Sequence, residues 1–243
     1  MFFGNGFDRK TMYIILAIFV AISLMGVGAG FWVETLLTIP AVVIAMTFHE
    51  FAHAWAADRF GDTTPKAQGR LTLNPASHID PFGFILLLFA GVGWGRPVMI
   101  NPNQFTSNKS RATCEALVSL AGPLMNFILA ILFTIVYYLL EHFAPATQII
   151  GIIAFLVLYT IYINIGLGVF NLIPLPPLDG EKIFRNILPY RAIEWLERNE
   201  YTLQFVFMIL WITGLLGNIV TPVVGFLSNL LFSGIGTLFG IFL

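Results

Sequence analysis

The five residues His49-Glu50-Phe51-Ala52-His53 carry the most specific chemistry in this 243-residue chain. Residues four apart share a helix face, so the two imidazoles can reach one metal ion. Glu50, about 100° further round the helix from His49, can lie beside an activated water and act as its general base. The spacing is that of metal-assisted hydrolysis, and zinc is the ion it implies. A catalytic zinc usually takes three protein ligands and keeps one position open, so one more ligand must come from elsewhere in the chain.

The elements that hold this motif are membrane helices. The chain is 58% hydrophobic and 10% charged, whereas soluble domains carry about 25% charged residues. Twenty-four Phe against 12 Lys and Arg leave too little polar surface for a water-soluble globule. A span needs about 20 apolar residues. Met12–Val33, Leu36–Ala57, Ala112–Leu140 and Gln148–Ile173 meet that length, and the apolar tail Tyr201–Leu243 reads as two spans broken around Gly217-Asn218 and Thr221-Pro222. The run Phe82–Trp94 is too short to cross; capped by Asp80-Pro81, it reads as a hairpin that dips into the membrane and returns. The expected fold is an all-α polytopic membrane protein of about six transmembrane helices, with one re-entrant hairpin. It forms a single membrane-embedded domain over residues 1–243, with a catalytic core near 36–182 and flanking helices at 12–33 and 201–243. His49, Glu50 and His53 then lie inside a span, where each ionisable group costs about 3 kcal/mol to insert and marks function by default.

Charge placement gives this map its orientation. All 12 Lys and Arg residues fall in the N-terminus, Asp58–Pro81, Gly95–Arg111 and Pro174–Glu200. The turns near Glu34, Glu141-His142 and Gly217–Thr221 hold none. The basic side is cytoplasmic by the positive-inside rule, which puts the N-terminus in the cytoplasm. The net charge of -1 does not point to a partner, and with no basic run nucleic acid is not expected as one. The single Cys114 cannot form an internal disulfide and reads as a small buried apolar residue.

Three residues compete to complete the metal site. His142 lies on the opposite side of the membrane map and reads as a surface residue. His78 is on the correct side, in a loop just outside the span, where a lone histidine is more often an outer-sphere or solvated group. Asp179 follows Pro174, Pro176 and Pro177, which stop the preceding helix, and precedes Gly180. The residues leave two readings of Asp179 open: a ligand folded back toward the histidines, or the N-cap of a short helix from Glu181.

FHEFAHAWAADRFGD, GRLTLNPASHIDPFG, SLAGPLMNF and NLIPLPPLDG together resemble the site-2 protease family of intramembrane zinc metalloproteases, in its compact bacterial and archaeal form without extra regulatory domains. The resemblance runs from about Leu36 to Lys182. It implies one zinc ion per chain held by His49, His53 and Asp179, Glu50 as the base, and Asn171 in contact with substrate or oxyanion. It also implies single-span membrane proteins as substrates, cut within or at the cytoplasmic edge of the bilayer, and a prokaryotic plasma membrane as the location. Asn126 reads as a packing and helix–helix bonding residue.

Two other functions fit the same residues less well. A membrane zinc carrier would use the same ligands but has no need of Glu50 beside them. A catalytically inactive relative that binds membrane proteins would have no reason to keep the set intact. Oligomeric state is not legible. Finally, Gly69–Asn74 alternates apolar and polar residues between Gly69 and Asn74-Pro75. It reads either as an ordinary surface loop or as a short β segment near the active site, with an edge onto which an unwound substrate could add as a strand.

Overall fold

The computed structural model describes residues 29–90 and 95–242. Most of the expected first span, Met12–Val33, lies outside them. The described helices are α1 (Ala29–Arg59), α2 (Thr64–Ala67), α3 (Pro81–Ala90), α4 (Arg111–Phe143), α5 (Gln148–Asn171), α6 (Asp179–Arg185), α7 (Tyr190–Arg198), α8 (Glu200–Ile212) and α9 (Leu215–Phe242). Among the described residues, four segments are long and apolar enough to cross a membrane: Thr35–Arg59, Arg111–Phe143, Gln148–Asn171 and Leu215–Gly240.

Helices α1, α4 and α5 pack against one another and α9 closes over α4 and α5. Lipid is as apolar as leucine, so helices in a bilayer associate through close packing of small residues and through polar bonds rather than by hydrophobic burial. Helix α1 follows that logic. Ala41, Ala45, Ala52 and Ala56 are buried at helical spacing, and His49 and His53 are buried on the same stripe. The side chains that carry the chemistry therefore ride on the seam between helices. Between α4 and α5, Ala130, Val157, Ile161 and Ile165 form a core cluster covered by Val224, Leu227, Leu231 and Phe232 of α9.

Helix ends use local polar groups. Ser110 caps α4 by accepting from the Thr113 N–H at 3.1 Å, and Thr147 caps α5 by accepting from the Ile150 N–H at 3.3 Å. Asp80 accepts from the Gly83 N–H at 2.9 Å, as its place before Pro81 predicts. Ile79 then forms an isolated antiparallel bridge with Gly95, so the chain enters and leaves the α3 excursion at one place. Gly91–Trp94 lie outside the described residues.

Three expectations are corrected. The turn expected near Glu34 is absent, because α1 is continuous from Ala29. The tail breaks at Gly214 rather than at 217–222. Gly214 has φ +74°, a conformation that favours glycine, while Pro222 sits inside α9. As a result α8 has 13 residues and a length of about 20 Å, too short to span. Nor is Gly69–Asn74 a strand: among the described residues there is no sheet, only the Ile79–Gly95 bridge. Its polar side chains bond locally instead of leaving the backbone free for pairing. Thr72 Oγ1 accepts from the Asn74 N–H at 3.2 Å, and Asn74 Oδ1 accepts from the Ala76 N–H at 3.1 Å.

Candidate metal centre

The α5–α6 connection determines whether Asp179 can reach α1. Leu172–Leu178 leaves α5 through Pro174, Pro176 and Pro177 and turns back on itself, with the Leu178 N–H donating to Leu175 O at 3.0 Å. A side chain at Gly180 would collide with the Ile173 and Leu172 carbonyls, so this tight return needs glycine. Asp179 becomes the first residue of α6, after the N-cap Leu178, and makes no side-chain capping bond. Its carboxylate points instead at the histidines.

Asp179 Oδ2 lies 3.1 Å from His49 Nε2 and 3.1 Å from His53 Nε2, and the two Nε2 atoms are 3.1 Å apart. Three donor atoms thus form a nearly equilateral triangle. Tetrahedral zinc with bonds of about 2.05 Å sets its ligands about 3.4 Å apart, so the triangle is close to the size that the ion requires. The protonation pattern agrees. His53 Nδ1 is 2.7 Å from the Val118 carbonyl, which can only accept, so this nitrogen carries the proton. His49 Nδ1 is 2.7 Å from Asn126 Oδ1. The Asn126 Nδ2 is already committed to Ala45 O at 3.1 Å and Asn164 Oδ1 at 2.9 Å, so Oδ1 is the atom left to accept from His49. Both Nε2 atoms therefore turn lone pairs toward a carboxylate. Three acceptors brought this close repel one another unless a cation sits among them. The residues present fit a bound metal. Among the described residues no other His, Cys, Asp or Glu group converges in this way.

Gly122 forms the floor of the site. A Cβ there would meet both His53 and His49 ring atoms, so the glycine of Gly122-Pro123 lets α4 approach the motif closely. Glu50 faces a different element. Its Oε2 accepts from the Val98 N–H at 3.0 Å, and a side chain at Gly95 would reach within 4.0 Å of its other oxygen. The segment Gly95–Ile100, outside regular structure apart from the bridge at Gly95, is anchored at each end: the Arg96 N–H donates to His78 O at 2.7 Å, and the Asn101 N–H donates to the buried Asp62 carboxylate at 2.6 Å.

The remaining sequence candidates fall outside the triangle. His78 is fully buried with its Nε2 donating to Thr72 O at 2.7 Å, and it belongs to the loop framework. His142 is exposed at the end of α4. Asn171, the last residue of α5, donates to Leu167 O of its own helix at 3.0 Å rather than to the triangle. Asn126 does bond between helices, as expected, but one of its partners is His49 itself. The burial of Asn126 beside His49 was the part that its sequence position could not reveal. Asn164, one turn after Thr160 in an otherwise apolar helix, was the available signal for a second polar partner.

The profile of Peptidase family M50 matches residues 37–213. YwhC of Bacillus subtilis (strain 168), which carries a zinc metalloprotease name, is 40% identical over 184 residues, covering 74% of this chain and 82% of that protein. Rip2 of Mycolicibacterium smegmatis, named likewise, is 34% identical over 151 residues, 60% of this chain and 54% of its own length. The archaeal MJ0611 of Methanocaldococcus jannaschii, also so named, is 31% identical over 168 residues, 68% of this chain and 69% of its own. No solved structure matches.

Proposed function

The chain belongs to peptidase family M50 and is a membrane zinc metalloprotease; we propose that His49, His53 and Asp179 hold its single zinc ion and that Glu50 is its general base. The observation that carries this assignment is the 3.1 Å triangle of donor atoms, set beside a glutamate that makes no part of it. That arrangement supports hydrolysis over ion carriage, because a carrier has no use for a base next to its ligands.

When bound, zinc supplies a Lewis acid that polarises a carbonyl and lowers the pKa of water toward neutrality. The side chains do the rest. Glu50 takes the proton of the attacking water and delivers it to the leaving amine. The Val98 N–H holds Glu50 Oε2 in place, leaving Oε1 as the atom that exchanges protons. Asn171 is proposed to turn its amide from Leu167 O toward substrate or oxyanion once substrate is present, which its position in the last turn of α5 permits.

The substrates we propose are single-span membrane proteins. A helical substrate hides its carbonyls in its own hydrogen bonds, so a stretch of it must unwind and find new partners. Gly95–Ile100, rather than Gly69–Asn74, supports that role. It touches the base, and among the described residues the Met99 and Ile100 N–H groups have no hydrogen-bond partner. The one-sided Lys and Arg distribution supports a cytoplasmic N-terminus and a Phe82–Trp94 hairpin that returns to the side it left; the bacterial and archaeal relatives support a prokaryotic plasma membrane.

The test compares membrane proteomes of cells carrying wild type and Glu50→Gln. Single-span proteins should accumulate as uncut precursors in the variant. Identical proteomes under every growth condition tried would remove single-span proteins as the substrate class.

A further inference from the structure

The two histidines are held by different kinds of partner. His53 Nδ1 meets a backbone carbonyl, which cannot be turned round. His49 Nδ1 meets the side-chain amide of Asn126, which has two faces. With its oxygen toward His49, Asn126 puts the ring proton on Nδ1 and frees Nε2 for a metal. With its nitrogen toward His49, it would donate to Nδ1, leave the proton on Nε2 and block coordination.

The choice between these faces is made further away. Asn126 Nδ2 donates to Ala45 O of α1 and to Asn164 Oδ1 of α5. Asn164 is oriented in turn, because its Nδ2 donates to Thr160 O at 2.8 Å. Ala45 O and Thr160 O are backbone acceptors with no alternative role, so they set the polarity of both amides. The chain from Thr160 O through Asn164 and Asn126 to His49 therefore has one consistent direction. Asn126 and Asn164 are both fully buried, so water cannot supply a competing partner.

We propose that Asn126 and Asn164 are positioning residues that select the metal-binding tautomer of His49, Asn126 by accepting its Nδ1 proton and Asn164 by keeping Asn126 the right way round. This inference rests on the metal site assigned above. It makes Asn164, which touches no ligand, a determinant of zinc affinity. It also separates the two amides by kind: Asn126 is needed as an acceptor, whereas Asn164 is needed only while residue 126 has a wrong face to show.

The test measures the zinc dissociation constant of purified protein in detergent by competition with a chelator, alongside the thermal unfolding midpoint. Asn126→Leu should weaken zinc by about 10–100-fold, the usual cost of losing an outer-sphere partner of a ligating histidine. Asn126→Asp should stay within about threefold of wild type, because both carboxylate oxygens accept and neither can donate. Asn164→Leu should weaken zinc by about tenfold in the wild-type background but leave the Asn126→Asp protein unchanged. A purely structural role predicts otherwise: Asn126→Asp, which loses both donated bonds and buries a charge, should then lose as much zinc as Asn126→Leu. The proposal is overturned if Asp and Leu at position 126 weaken zinc equally, or if Asn164→Leu has the same effect in both backgrounds. A wild-type protein that binds no zinc would instead overturn the metal assignment on which the proposal depends.

Discussion

The metal end and the base end of the site are built by different rules. His49, His53 and Asp179 converge from two elements, and both imidazoles have their second nitrogen bonded to α4. His49, His53 and Asn126 are buried, with Gly122 closing the floor. Glu50 sits one residue from His49, yet its carboxylate is held by a single backbone N–H from Gly95–Ile100, a segment outside regular structure. The same helix thus presents two ligands to a packed seam and its base to an irregular segment. Ligands need fixed geometry before the ion arrives, whereas a base must move its proton between two partners and lie beside a substrate that comes and goes.

The strongest way to break this contrast is at the metal end. Asp179→Ala removes one of three ligands and should lower zinc affinity by more than the about 100-fold cost of an outer-sphere loss, with cleavage falling below detection. Metal analysis after dialysis reads the first effect. Full zinc occupancy in this variant would mean that the third ligand lies elsewhere.

Gly122→Ala should be next in size. Its added methyl meets both histidine rings, and overpacking of this kind costs about 1–3 kcal/mol where neighbours cannot move. Zinc retention and thermal stability should fall together. If the variant keeps both, the floor of the site is less rigid than the contrast requires.

At the base end, effects should appear in turnover and spare the metal. Val98→Pro deletes the N–H that holds Glu50 Oε2, at a position outside regular structure. Turnover should drop about tenfold or more, in line with the contribution of a positioned general base, while zinc stays near one per chain. A loss of zinc in this variant would show that the two ends are not separate. The smallest effect on the metal is expected from His78→Ala. His78 ties Thr72 O to the loop framework and touches no ligand, so zinc content should not change, although loss of a buried bonded side chain should lower the unfolding midpoint.

Sequence reached the metal end more easily than the base end, for physical reasons. His49 and His53 declare themselves because a four-residue helical spacing is a local property. The long helices were legible because apolar length is a local property too, and α5 begins at Gln148 as read from its composition. Asp179 was legible as a folded-back residue only through its prolines and Gly180. Whether it capped a helix or met a metal depended on contacts with α1, 126 residues away from His53. The partners of the ligands were less visible still. Asn126 reads as generic helix glue until α1 is packed on α4, and Val98 carries no side-chain signal because it acts through its N–H. The break at Gly214 was misplaced because Pro222 looked like the stronger breaker, yet membrane helices accommodate proline where neighbours satisfy the freed carbonyl. Gly69–Asn74 had the alternation of a strand, but its Thr and Asn side chains took the backbone bonds first.

The most direct test of the account is Glu50→Gln in purified protein, assayed for both bound zinc and cleavage of a single-span reporter substrate. Glutamine keeps the shape of the side chain and an oxygen for the Val98 N–H, but it cannot take a proton from water. The account predicts one zinc per chain, as in wild type, and cleavage reduced to a trace. Cleavage at a substantial fraction of the wild-type rate, or loss of the metal, would contradict the assignment of Glu50 as a base standing beside the ligands rather than among them.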